Sequence, residues 1–373
     1  MDAPRFDRSR EECTLIDRAQ AIATAHPRPA NRPFDAGELR AIFRDLAPTG
    51  YLGSTLPKDA GGHAMSGPTF SALCEGLAPQ LTLLGNHSVQ RYLYMFGNAQ
   101  QQKRFMPALL EGEGIASISM TEPHVGSHLQ RMKTTARRVG HAYVIEGEKT
   151  WVTHGLVADL IVVLAQTEGG LTRFLAPGDT PGLKREALDP VGLKHLGFAR
   201  LTFCHCEIPA ELRLGEEGEG LEGAKAAFPI ARVLAALQAL RIAQSAMAIA
   251  RDYATGRVAA RMPLASSSLV QHGLAQLAAR CESVRLFALR AADNLGSADA
   301  VANASAAKAL AGELALEACR WAEDLLGSSS LHASHPLATL TGDARMMAVV
   351  DGTSVLNHLV AARRMLPVEG SGA

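Results

Sequence analysis

The spacing of apolar residues changes twice along these 373 residues, and that double change limits the fold more than any composition figure. Up to about residue 115 the spacing is helical. Leu39, Ile42, Phe43 and Leu46 share one face before Pro48-Thr-Gly stops the run. A Gly-rich turn, Lys58-Asp-Ala-Gly-Gly-His, leads into helix through Leu77, followed by Ser88 to Phe96 and Gln100 to Leu110. From about 116 to 215 the runs are strand-like. Tyr143 to Thr153 predicts strand, turn, strand, Leu160 to Thr167 an apolar strand, and Leu201 onward an alternating strand that stops at Pro209. After the turn Gly215-Glu-Glu-Gly-Glu-Gly the pattern is helical again and Ala-rich. Phe228 to Arg257, Ser267 to Gly296, Val301 to Leu326 and Ser354 to Met365 predict an antiparallel four-helix bundle. The expected class is α+β, with domains at 1–115 (helical), 116–215 (β) and 216–373 (bundle). There is no internal repeat and no low-complexity linker.

Charge and composition exclude several functions. Lys plus Arg and Asp plus Glu each number 37, so there is no overall field to attract nucleic acid or an anionic membrane. With 47% hydrophobic and 20% charged residues the chain is not disordered. The longest apolar stretch, Val233 to Ala250, is broken by Gln238, Arg241 and Gln244 and predicts a core helix rather than a membrane span. The opening MDAPRFDRSREECTL has no apolar targeting core, and its arginines alternate with Asp2, Asp7, Glu11 and Glu12. Cys13, Cys74, Cys204, Cys206, Cys281 and Cys319 are scattered, which fits reduced thiols and a cytoplasmic protein. No second Cys/His pair joins Cys204-His205-Cys206, and His154 and His195 stand at unlike spacings, so no metal is expected. His154 directly follows a motif discussed below and is expected near the active site.

Five segments carry chemistry, and their order matters more than any one. They are Met120-Thr-Glu-Pro-His-Val-Gly-Ser-His, Gly147-Glu-Lys-Thr-Trp-Val-Thr-His-Gly, Val191-Gly-Leu-Lys-His-Leu-Gly-Phe-Ala-Arg, Tyr253-Ala-Thr-Gly-Arg with Pro263-Leu, and Asp351-Gly-Thr-Ser-Val-Leu. Phe96-Gly-Asn-Ala-Gln-Gln-Gln-Lys and Pro107-Ala-Leu-Leu-Glu-Gly-Glu precede them. In this order and spacing, from about Leu39 to Leu366, the chain resembles a divergent member of the acyl-CoA dehydrogenase superfamily.

The resemblance implies an N-terminal helical domain, a central β-barrel-like domain and a C-terminal four-helix bundle. It also implies FAD between the last two, in a homodimer or homotetramer. By the same resemblance, Thr121 and the Met120 backbone meet the flavin pyrimidine, Ser127 the pyrophosphate, Trp151 one flavin face and Thr153 the region of N5. A flat ring rimmed by hydrogen-bonding atoms suits an aromatic platform with fixed hydroxyls. Taken singly, Trp151 also reads as a core aromatic and Thr121 as a turn hydroxyl before Pro123. The family removes an α-proton of an acyl thioester with a carboxylate while the β-hydride passes to flavin N5. The usual base, a Glu before Gly-Thr, is Asp351 here. The alternative place, before the bundle arginine Arg232, holds Ala231. Asp is one methylene shorter than Glu, about 1.5 Å of reach, and misplacement on that scale costs roughly a hundredfold in rate. Asp351 or Thr353 also fits the N-cap of the helix that starts at Ser354. Arg232 and Gly352 are expected against substrate, with Thr353 among the cofactor contacts.

Departures from the family cluster at residues that reach a neighbour's FAD. Arg257 remains, but the family's Phe and Gly become Ala260 and Arg261, and a Gln becomes Ser268. A further Gln and the Gly-Gly-x-Gly loop become Asp324 and Gly327-Ser-Ser-Ser, where Ser328 still offers a hydroxyl to phosphate. His128, Arg241 and Gly342 stand where the family has Asp, Gly and Arg. Three readings remain open: altered FAD contacts in a homo-oligomer, a paralogous subunit that supplies the missing contacts, or a half-catalytic or non-catalytic subunit. The leading expectation is FAD-dependent dehydrogenation of an acyl-CoA or acyl-carrier-protein thioester, with electron-transfer flavoprotein or a similar acceptor downstream. A flavin oxidase using Asp351 on another carbon acid is the alternative.

Overall fold

The computed structural model describes residues 8–81, 84–259 and 261–366, with only the backbone path for 223–226. Ala260, one of the altered positions, and the first seven residues lie outside them. Five helices open the chain: α1 (Arg10–Ala25), α2 (Ala36–Leu46), α3 (Gly67–Leu77), α4 (Asn86–Phe96) and α5 (Ala99–Leu110). Side-chain capping sets several starts. Asp35 accepts the Glu38 amide while Glu38 reaches back to the Asp35 amide, satisfying donors that a helix start leaves bare. Asn98 and Gln101 do the same for α5. The apolar face predicted for α2 is the buried one: Leu39, Ile42, Phe43 and Leu46 are all inaccessible.

Strands β1 (Ala116–Ser119), β2 (Thr135–Val139), β3 (Ala142–Val152), β4 (Leu160–Thr167), β5 (Gly170–Pro177), β6 (Leu183–Ala187), β7 (Ala199–Pro209) and β8 (Arg213–Leu214) form one sheet. Its order is β6-β7-β3-β2-β4-β5-β8, with β1 parallel to β4. The turn expected within Tyr143 to Thr153 does not form. β3 runs on through Gly147, with a register shift against β7 between Ile145 and Gly147. A bulge inserts one residue without reversing the chain, and Gly147, at φ 143°, takes the conformation it requires.

The C-terminal domain comprises α6 (Gly220–Gly256), α7 (Ser268–Asp293), α8 (Ala300–Leu326), α9 (Pro336–Met347) and α10 (Ser354–Ala362). The expected four segments become five. Helix α9 was not legible because its apolar pattern is short, and Pro336 is a helix-starting residue here rather than a breaker. Helix α6 starts eight residues before Phe228 and joins every layer. Its Ile230 and Leu234 pack with the N-terminal helices, while Leu237, Leu240 and Ala243 pack in the bundle core. Burying each such leucine contributes about 2 kcal/mol. By length and composition α6 could cross a membrane, but most of its apolar window is buried inside the protein.

Two close approaches seat the sheet on the bundle. A Cβ at Gly220 would lie 2.5 Å from Leu164 Cδ1 and 2.6 Å from the Leu171 carbonyl. A Cβ at Gly342 would lie 2.1 Å from the Val191 carbonyl, and one at Gly192 would lie 2.2 Å from the Gly342 carbonyl carbon. Beside this contact buried Asp343 accepts the Leu193 amide at 2.6 Å and pairs with Arg28 at 2.7 Å. The departure from Arg to Gly at 342 thus has a packing reason: the Val191-Gly192-Leu193 loop lies on α9 where a side chain would stand. Gly342→Ala is expected to destabilise the protein by about 1–3 kcal/mol in denaturant unfolding. Unchanged stability would show that the two backbones do not pack this closely.

Candidate active site

Between α9 and α10 the chain turns through two residues of positive φ, Asp351 at 55° and Gly352 at 100°. A non-glycine residue in this region costs on the order of 1 kcal/mol, so the surrounding bonds must hold it there. They do. The Asp351 carbonyl accepts Arg232 Nε and Asn357 Nδ2, both at 3.3 Å. The Gly352 carbonyl accepts Asn357 Nδ2 at 2.8 Å and Lys308 Nζ. Lys308 also donates to Ala348 at 2.9 Å, and Arg232 Nη1 donates to Ser305 Oγ at 2.9 Å. Thr353, not Asp351, caps α10: its Oγ1 accepts the Leu356 amide at 3.2 Å. The cap leaves the Thr353 hydroxyl proton free to donate elsewhere, and leaves the Asp351 carboxyl out of the helix start.

Asp351 is partly accessible as a residue, but protein packs densely enough around its carboxyl for burial to dominate its titration. Burial raises its pKa above the ordinary 3.8, and the cations Lys308 and Arg232 oppose the rise. Both cations are themselves buried. Burial lowers Lys308 to about 8, against the upward pull of Asp351, and it lowers Arg232 as well. Phe228 lies beneath the Arg232 guanidinium at 5.1 Å. On the N-terminal side stands Tyr92 of α4, buried, its phenol pushed up to about 12 by burial, with Arg173 lowering it and Asp351 raising it. It therefore stays neutral near Asp351 at any working pH.

A second group forms where β1 leaves the sheet beside the end of β3. The Thr150 amide donates to the Thr121 carbonyl at 2.9 Å, and Ser117 Oγ donates to the Thr153 carbonyl at 2.7 Å. Lys149 Nζ, fully buried, donates to the Met120 carbonyl at 3.2 Å and to Glu122 at 3.0 Å. Glu122 in turn accepts the Lys133 and Thr134 amides. Burial pushes the Glu122 pKa up, but these bonds and Lys149 outweigh it and hold the carboxyl below its ordinary value. The result fixes Met120, Thr121, Trp151 and Thr153 together. Trp151 sits at φ 58° with 48% of its surface exposed and only its edge contact to Phe198 recorded, at 5.8 Å between centroids. An indole held in a strained conformation and left uncovered offers a flat face to a planar group. Ser127 lies on the exposed turn that follows.

Not every expected residue joins these groups. Arg257 follows the far end of α6, roughly 37 Å along the helix from Arg232 at 1.5 Å per residue. Ser328 lies beyond the C-terminal end of α8, and both side chains are exposed. His154 does not line an open site. Its ring is buried edge-on to Phe43, and burial lowers its pKa to about 4. His195 is buried against Phe34, while His205 is exposed beside Glu146. Among the described residues no cluster of three or more His, Cys, Asp or Glu is placed to hold a metal. Lys308, Asn357 and Tyr92 were missed at the sequence level. The available signal for Lys308 was a lone lysine in phase with the buried Ala304, Ala307 and Ala311.

Comparison with known proteins agrees with this architecture. Residues 9–113 match the N-terminal domain of acyl-CoA dehydrogenases, 117–206 the middle domain and 218–366 the C-terminal domain. The mitochondrial short-chain specific acyl-CoA dehydrogenase of Homo sapiens is 32% identical over 87% of this chain and 82% of its own. Benzylmalonyl-CoA dehydrogenase of Aromatoleum aromaticum is 31% identical over 96% and 99%. The structure of butyryl-CoA dehydrogenase from Megasphaera elsdenii superposes with a TM-score of 0.89 at 25% identity, covering 98% of this chain and all of that one. The chain belongs to the acyl-CoA dehydrogenase family, oxidoreductases that act on CH–CH bonds of acyl thioesters. The family's cofactor is FAD, and the exposed Trp151 face with Thr121 and Thr153 beside it fits a flavin.

If Lys308 sets the charge state of Asp351, Lys308→Met should move the acid limb of the kcat/KM profile to higher pH. Removing a neighbouring cation disfavours the carboxylate and raises its pKa. An unmoved limb would separate the two residues.

Proposed function

We propose that the protein removes hydrogen from the α and β carbons of an acyl-CoA thioester, with Asp351 as the base. The arrangement of Asp351 between Arg232 and Lys308 carries this reading. Burial makes the carboxyl basic enough to take a weakly acidic carbon-bound proton, while the two cations keep it ionised and ready to accept. Arg232, through the Asp351 carbonyl, and Lys308, through the Gly352 carbonyl, hold the strained corner, so neither the carboxyl nor the Asp351 amide needs to reorganise during the reaction. The Asp351 amide is suited to polarise the thioester carbonyl, and Gly352 leaves room for substrate beside it. The α-proton goes to the Asp351 carboxylate, the β-hydrogen leaves with its electron pair, and a carbon–carbon double bond forms. Bound FAD supplies the acceptor for that pair. Met120, Thr121, Ser127, Trp151, Thr153 and Thr353 hold the cofactor on this chain. Arg257 and Ser328, remote from that group, serve a neighbouring subunit in a homodimer or homotetramer. The named relatives support CoA as the carrier. The same reading divides the chain at 1–115, 116–215 and 216–373, places it in the cytoplasm, and passes electrons to an electron-transfer flavoprotein or similar acceptor.

Asp351→Asn keeps the side-chain volume and removes the base. The expected result is turnover reduced by about a thousandfold or more, with the flavin absorption band of the purified protein intact. Turnover near wild type would remove Asp351 from this role.

A further inference from the structure

Strand β5 carries one residue that neither the fold nor the proposed chemistry uses. Arg173 lies among apolar neighbours with 2% of its surface exposed. Its Nη2 donates to the Glu219 carbonyl at 3.2 Å, while Nε and Nη1, both buried, have no hydrogen-bond partner among the described residues. No carboxylate of the described residues comes within ion-pairing distance. Glu219, the acid that acts on it through space, already accepts the Glu216 amide at 3.0 Å. Aromatic faces cover the guanidinium instead, Phe96 at 3.7 Å and Tyr92 at 5.5 Å. A buried cation with two unused donors is costly, and proteins keep such groups where an anion arrives to meet them.

The surroundings show where that anion would sit. Arg173 lines a narrow cavity with Tyr92, Ile118, Met120, Leu164 and Gly220. Gly220 is the first residue of α6, a helix whose N-cap Glu219 makes no side-chain cap. The positive end of a 37-residue helix thus lines the same space as Arg173. The cavity adjoins the candidate active site on two sides. Tyr92 responds electrostatically to both Arg173 and Asp351, and Met120 belongs to the cofactor group. Its volume is about 10 Å3, the size of one water-scale group. That has room for one carboxylate oxygen in place of a water and is too small for a diphosphate.

We propose that Arg173 and the uncapped start of α6 form a receptor for a carboxylate on the acyl group, so that the preferred substrate is a carboxyl-bearing acyl thioester. The inference rests on the thioester reading above and names its substrate class. Tyr92, 5.5 Å from the Arg173 guanidinium, lines the same cavity. With Glu219 acting on it only through space, a neutral acyl chain would leave Nε and Nη1 of Arg173 without a partner among the described residues.

Binding to the FAD-loaded protein tests this without requiring turnover. Succinyl-, glutaryl- and adipyl-CoA are compared with butyryl-CoA by calorimetry, and the best of the three is repeated as its pantetheine thioester, which lacks the CoA phosphates. At least one carboxylated thioester should bind roughly 100-fold tighter than butyryl-CoA, and the pantetheine form should keep that preference. Arg173→Met should abolish the preference and leave butyryl-CoA binding unchanged, while Arg173→Lys should retain part of it. Replacing a buried unpaired cation by an apolar side chain should not lower the melting temperature. Equal binding of all four CoA thioesters by the wild-type protein would overturn the inference, as would a preference that survives Arg173→Met or disappears with the phosphates. Oxidation of butyryl-CoA without carboxylate preference would keep the dehydrogenase reading and remove this one. Selective, Arg173-dependent binding without oxidation would do the reverse.

Discussion

The attraction between one buried carboxyl and two buried cations organises the corner between α9 and α10. Asp351, Arg232 and Lys308 come from the α9–α10 corner, α6 and α8, so this attraction ties together three parts of the helical domain. Each ion alone would be expensive to bury, and together they offset part of that cost. The same two cations hydrogen-bond the carbonyls of the corner, so the force that tunes the carboxyl also fixes its backbone. Tuning and positioning are therefore not separable properties here. A change that loosened the corner would also return the carboxyl toward its ordinary acidity.

The rest of the fold brings a second domain to that carboxyl. Trp151 lies at the end of β3 and Thr121 just after β1, while Asp351 belongs to the helical domain, so the proposed site draws on both domains. Their relative placement depends on backbone-to-backbone contacts at Gly220 on the β4–β5 pair and at Gly342 on the Val191 loop. Close backbone approach suits a two-domain site because it leaves no side chain to change rotamer between them. The long helix α6 then links all three cores, and its two ends serve different tasks. Its start faces Arg173 and the cavity, and its far end carries Arg257 away from Met120, Thr121, Trp151 and Thr153.

Much of this was legible in the residues. The two changes of apolar period located the helical, sheet and bundle regions, because helix and strand faces repeat at 3.6 and 2 residues. Asp351 is proposed from its place before Gly-Thr rather than from its type, and Thr121, Trp151 and Thr153 from short motifs. Other features depend on contacts distant in sequence. Lys308 shares the phase of the buried alanines of α8, but its partners, the Ala348 and Gly352 carbonyls, are distant in sequence. Arg173 looks like the polar member of an edge strand until α4 and α6 cover it. The bulge at Gly147 mimics a turn because glycine serves both. The Gly at 342 reads as a lost arginine until the Val191 loop is seen lying against it.

In the proposed reaction Asp351 removes a proton from the carbon beside the thioester carbonyl. Hydrogen exchange at that carbon measures the step directly, by NMR of a bound acyl-CoA analogue that cannot be oxidised at the β position, in deuterated water without oxygen. The account predicts deuterium incorporation at the α-carbon with wild-type protein and none above the uncatalysed rate with Asp351→Asn. Exchange that persists in the variant, or that is absent from the wild type while the analogue is bound, would contradict it.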